Sequence, residues 1–299
     1  MDTGRLRCGA KAVSQRRLPD PFLIRAATWI RSLLAPPERS REPILTLPRP
    51  MTLLLVILFG IHAVRALLPL AWDQEIIWTF GFVPARYEAT LMAEQIPGGI
   101  GASVWSFVTY SLLHADLAHI GFNMLWMLPF GSALARRFGG VRFFIFLAIT
   151  SVAGALAHLL THAHELAPMI GASAAVSGTM AASLRFAFQR GSFLSFRRTP
   201  DADAAARIPA LPLSRALRNG RVLAFLGVWF VLNLVTGLGA IEIGTQGQSI
   251  AWQAHVGGFL AGLLLFSLFD PVPRGGNEDR PELSPSDISP EENLSSRDV

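Results

Sequence analysis

Residues 141–162 read VRFFIFLAITSVAGALAHLLTH, an apolar run whose only arginine is the second residue. A helix needs about 20 consecutive, mostly apolar residues to cross a hydrocarbon core, and this stretch supplies them. Working outward, five more stretches approach that length: roughly 51–71, 115–135, 171–189, 221–240 and 250–269. Those at 115–135 and 171–189 are the more polar, because they hold His, Asn, Ser and Gly. The whole chain of 299 residues is only 16% charged, whereas soluble domains carry about a quarter charged residues. The charges also crowd into the two ends and a few short connections. The reading is an all-α, polytopic membrane protein with six transmembrane helices.

Three regions follow. Residues 1–50 form an Arg-rich N-terminal segment, 51–270 the six-span body, and 271–299 a polar, acidic tail whose composition predicts disorder. The first fifty residues hold no signal-peptide core. Within them PFLIRAATWIRSLLAP (21–36) puts Leu23, Ala27, Ile30 and Leu34 on one helical face, as a membrane-surface helix would. An organellar transit peptide is the alternative for so arginine-rich a start. Between 72 and 114 the chain is aromatic-dense, which predicts a loop lying partly in the membrane interface.

Arginines set the expected direction. They gather before the first span, between the second and third (Arg136, Arg137, Arg142), and between the fourth and fifth. With six spans and both termini cytoplasmic, every Arg-rich connection lies inside. A bacterial cytoplasmic membrane suits that arrangement. The net charge of +5 is not a nucleic-acid signal, because the basic residues flank spans and no aromatic-interleaved basic patch accompanies them. Cys8 is the one cysteine, so no internal disulfide is possible.

On this topology the second, fourth and sixth spans all enter from outside. HADLAHIGFN (114–123) opens the second with His114, His119 and Asn123; Ser173 lies in the first turn of the fourth; His255 lies just inside the sixth. Polar groups from helices distant in sequence thus share one depth. Such groups are costly in a bilayer and mark a protein interior or a wet cavity. A serine hydroxyl becomes a nucleophile when a histidine takes its proton. The resulting oxyanion needs fixed donors, which His119 and Asn123, four apart on one helical face, can supply together with the N–H groups at the helix start. No carboxylate within a span could extend a Ser–His pair to a triad, since Asp116, at the outer rim of the second span, reads as a helix-start residue.

These residues resemble the rhomboid family of intramembrane serine proteases. The resemblance covers about 51–270 and rests on HADLAHIGFN, GASAAVSG and AHVGGFLAG in that order. It implies that Ser173 is the nucleophile and His255 the general base. It also implies an oxyanion hole made by His119, Asn123 and the backbone of Ser173. His114 then supports the cavity, Gly171 frees the backbone turning into the fourth helix, and Gly258 and Gly262 let the sixth helix approach the fourth near Gly178. The implied partners are the lipid bilayer and transmembrane protein substrates, which enter past the fifth span and the 241–254 loop. No cofactor, metal or nucleic acid is implied.

Two positions depart from the family pattern. Ala174 follows the serine where glycine is usual, restricting the backbone if a positive φ is needed there. Ser177 stands where an aromatic usually stacks on the catalytic histidine, so His255 needs another restraint. Among rival readings, HLLTHAHE (158–165) lacks the glutamate of a zinc-protease H-E-x-x-H, since Leu159 takes its place. No pair of intramembrane carboxylates suits an aspartyl protease. A catalytically inactive rhomboid-like scaffold or chaperone for transmembrane helices is the main alternative, but it predicts loss of Ser173 or His255, and both are present.

Overall fold

The computed structural model describes residues 47–88, 94–195, 201–237 and 251–273. The expected surface helix, most of the 241–254 loop and nearly all of the tail lie outside these residues. The described residues hold ten α-helices in order: α1 (Arg49–Ala66), α2 (Leu70–Phe80), α3 (Gly99–Thr109), α4 (Leu117–Phe138), α5 (Gly140–Thr161), α6 (Ser173–Ser183), α7 (Ala202–Ala206), α8 (Leu213–Ala216), α9 (Gly220–Gly237) and α10 (Trp252–Phe269). Short 3-10 turns occupy Pro84–Tyr87 and Tyr110–Leu112. Among the described residues there are no strands, only an isolated antiparallel bridge between Phe82 and Met169. The protein is an all-α, polytopic membrane bundle.

Local sequence explains the helix ends. Pro50 falls in the first turn of α1, where a missing N–H costs nothing. Asp116 caps α4 by accepting from the His119 N–H at 2.7 Å. The chain turns from α4 into α5 through Gly139 at φ +75°, a conformation that favours glycine.

Among the described residues five helices, α1, α4, α5, α9 and α10, are long and apolar enough to span a membrane. The expected span at 171–189 is shorter than predicted. It is the 11-residue α6, roughly 16 Å long at 1.5 Å per residue and so about half of a 30 Å core. It can stop early because it does not face lipid. Every residue from Ala174 to Ser183 is buried, and α4, α5 and α10 pack around it. The 72–114 segment also differs from the expected loop: α2, α3 and the 3-10 turns fill most of it. Its aromatics pack on one another, with Phe82 and Phe107 centroids 4.9 Å apart and their planes tilted by 58°. Arg86 is buried there and donates to the carbonyls of Trp78 and Pro97.

α10 reaches the centre of the bundle on glycine. A methyl at Gly258 would lie 2.2 Å from the Ala174 carbonyl oxygen, one at Gly262 2.2 Å from that of Gly178, and one at Gly257 2.5 Å from that of Ala153 on α5. Lipid supplies no hydrophobic drive between helices, so this backbone proximity is what holds them. Gly262→Ala is accordingly expected to cost about 1–3 kcal/mol through overpacking. The measurement is the denaturation midpoint in detergent; an unchanged midpoint would mean that α10 does not sit this close to α6.

The opposite ends of these helices are tied by charge. Arg137, 3% exposed, donates to both carboxylate oxygens of Asp270 at 2.8 and 2.9 Å and to the carbonyls of Ala206 and Ile208. The fork geometry of the guanidinium suits such paired acceptors.

Candidate active site

Ser173 opens α6 from a loop that is held on both sides. Phe82 and Met169 exchange backbone hydrogen bonds at 2.8 and 3.0 Å, and the Gly171 N–H donates to the Tyr110 carbonyl at 3.0 Å. Gly171 has φ +125°, which excludes side chains. A methyl there would also lie 2.7 Å from His119 Nε2 and 3.9 Å from Ser173 Oγ. The space left by the missing side chain is therefore bordered by an imidazole nitrogen and the serine hydroxyl.

His114 lies behind this loop, just before α4. Its Nε2 accepts from the Ala172 N–H at 3.4 Å, and its carbonyl accepts from Arg65, which pairs with Asp73. Burial, assisted by His119, His62 and Arg65, lowers its pKa to about 3. The ring stays neutral at ordinary pH and keeps its acceptor.

On α4, His119 Nδ1 accepts from the Ala115 N–H at 3.4 Å. That acceptor role assigns the ring proton to Nε2, the atom beside the Gly171 space. One turn later Asn123, 4% exposed, donates one amide hydrogen to the His119 carbonyl at 3.0 Å and has a second available.

His255 sits on the first turn of α10. Its Nδ1 lies 2.6 Å from Asn233 Oδ1, and Asn233 Nδ2 donates to the Trp229 carbonyl at 2.8 Å. The amide orientation makes Oδ1 the acceptor, so the imidazole proton is on Nδ1 and the Nε2 lone pair is free. Asn233 belongs to α9, which otherwise buries only Val222. It was not among the residues anticipated from sequence. A signal existed: it is an asparagine inside an apolar span, toward the end expected to face outside, at the depth of the other polar groups.

His119, Asn123, Ser173, His255 and Asn233 all line one cavity of about 590 Å³. Gly258 and Gly262 lie outside it, at the α10–α6 interface. No hydrogen bond joins Ser173 to His255 here; such contacts commonly tighten only with substrate bound. Ala174 raises no backbone conflict, since it lies in the first turn of α6 and its methyl fits against Gly154, where a side chain would have approached within 2.5 Å. Ser177 also lines the cavity and is 4% exposed. The restraint that an aromatic at this position would have provided comes instead from Asn233.

The Rhomboid domain family matches residues 101–270. Among curated proteins, the chain is 30% identical to Rhomboid protease GlpG of Serratia proteamaculans over 175 residues, 58% of this chain and 51% of that protein. It is 28% identical to Rhomboid protease GlpG of an Enterobacter species over 162 residues, 54% and 47% of the two chains. Rhomboid protease GluP of Bacillus subtilis is 24% identical over 172 residues, covering 56% of this chain and 32% of that protein. The chain thus spans about half the length of the two GlpG relatives.

Proposed function

The chain belongs to the rhomboid family, and from that premise we propose that it is an intramembrane serine endopeptidase that cuts transmembrane segments with a Ser173–His255 dyad. The observation that carries this reading is the convergence, in one cavity, of a hydroxyl, an imidazole with a free nitrogen and two side-chain N–H donors. His255 Nε2 takes the Ser173 proton as Oγ bonds to the substrate carbonyl carbon. The oxyanion is received by His119 Nε2–H, the second amide hydrogen of Asn123 and the Ser173 backbone N–H at the positive end of α6. His255 then protonates the leaving amine, and water hydrolyses the acyl-serine with the same imidazole as base.

Residues 51–270 would form the protease body, with both termini cytoplasmic in a bacterial inner membrane. Substrate would enter past α9, whose side chains are mostly outward-facing. The inactive-scaffold alternative is disfavoured by the retention of both dyad residues.

The direct test is labelling by a fluorophosphonate probe. It should modify Ser173 in the intact chain and fail in Ser173→Ala; equal labelling of the variant would overturn the serine assignment. Asn123→Ala is expected to lower the turnover rate about tenfold or more with little change in substrate binding. Steady-state cleavage kinetics on a single-span substrate read this, and an unchanged rate removes Asn123 from the oxyanion hole.

A further inference from the structure

We propose that His158, His162 and Glu165 form a binding site for a divalent ion of the zinc class on the wall of the same cavity. The nearest donor atoms of the three side chains lie within 4.8 Å of one another. The last turn of α5 carries His158, the next residue after its end is His162, and Glu165 follows on the turn beyond. Backbone hydrogen bonds fix this spacing: His162 N–H to the His158 carbonyl at 2.9 Å, Glu165 N–H to the His162 carbonyl at 3.0 Å, and Ala85 N–H to the Glu165 carbonyl at 3.0 Å.

A second observation points to a ligand. His158 is 3% exposed, yet neither ring nitrogen has a hydrogen-bond partner, and neither does Glu165 Oε2. His158 Nε2 stands 3.3 Å from that oxygen, too misaligned to count as a hydrogen bond but close enough to share an ion. The His158 and His162 rings stack with centroids 4.8 Å apart and planes inclined by 17°. His162 Nδ1 contacts Thr161 Oγ1 at 2.8 Å, which leaves Nε2 for a metal. His164 takes no part, being paired with Glu88.

Two imidazoles and one carboxylate are a donor set that suits zinc, with water completing four ligands. Bonds of about 2.0–2.1 Å place tetrahedral ligands roughly 3.3–3.5 Å apart, so the three groups must draw in by about an ångström. From sequence, the family resemblance implied no metal, and HLLTHAHE lacked the glutamate base of a zinc protease. That absence excludes a zinc-protease mechanism, not ion binding. All three residues line the cavity that holds Ser173 and His255, so an occupied site places a dication on its wall.

The test is titration of the full chain in detergent, free of any polyhistidine tag, with Co²⁺ followed by Zn²⁺. One equivalent of Co²⁺ should give a saturable visible absorption that Zn²⁺ displaces. Affinity should fall about tenfold or more in His162→Ala and in Glu165→Gln, both at partly exposed positions, and hold in His164→Ala. This readout does not depend on proteolysis, so it stands or fails apart from the dyad. Absence of saturable one-equivalent binding, as expected if the groups simply form a His158–Glu165 ion pair, overturns the proposal. So does equal affinity in the His162 and Glu165 variants.

Discussion

Replacing Ser173 by alanine is expected to abolish cleavage of a single-span substrate reconstituted in liposomes, a loss of at least about three orders of magnitude. In the proposed mechanism this hydroxyl bonds to the carbonyl carbon, and Ser177, within the same cavity, lies a full turn further along α6 from the loop and the Gly171 space. His255→Ala should lose about as much. The two act as a unit, so the double variant should be no worse than either alone. Expression of both variants should match the parent protein, and so should the denaturation midpoint of Ser173→Ala, whereas His255→Ala also removes the α9–α10 hydrogen bond to Asn233. A Ser173→Ala chain that still cuts would end the serine reading. An unaltered chain that neither cuts nor takes the fluorophosphonate probe, yet captures transmembrane helices, would establish the scaffold alternative.

Asn233→Leu should lower turnover on the order of a hundredfold while leaving KM nearly unchanged. The bond between Asn233 Oδ1 and His255 Nδ1 does two things. It selects the tautomer with a free Nε2, and it restrains rotation of the ring. Partners that orient a functional imidazole are typically worth 10–100-fold. Here no aromatic stands at position 177 to share that task. Asn233 acts in this reading through His255, as a positioning residue, and the conservative variant separates this from a packing effect. Asn233→Asp keeps an acceptor oxygen and should retain much more of the rate than the isosteric leucine. Equal losses in both variants would reduce Asn233 to a packing residue. No loss in either would mean that α9 leaves His255 during turnover, as a swinging gate helix would require.

How much of this was legible in the linear chain depends on the kind of constraint. A span must be apolar over about 20 residues because lipid cannot solvate a backbone or a charge. That demand is local, so α1, α4, α5, α9 and α10 could be read directly, and the aromatic-dense segment before α4 could at least be marked as distinct. Its helices were missed because each is only 11 residues long, too short for the 20-residue apolar test that marks a span. The length of α6 was overestimated for the complementary reason. A helix wrapped by protein has no bilayer thickness to match, so composition cannot say where it stops.

The candidate site divides in the same way. Ser173, His255, His119 and Asn123 were identifiable from sequence because polar groups at one membrane depth are improbable without a use. Gly171, Gly258 and Gly262 were marked by resemblance, but only the fold shows what each avoids: an imidazole at the first, backbone carbonyls at the others. Asn233, His158, His162 and Glu165 needed coordinates to acquire a role. A lone asparagine becomes a histidine's partner only when α9 lies against α10. The three possible ligands meet only because the chain turns sharply after α5. Burial is imposed residue by residue and leaves its mark along the chain. Proximity between side chains belongs to the packed bundle, and only the three-dimensional structure decided it.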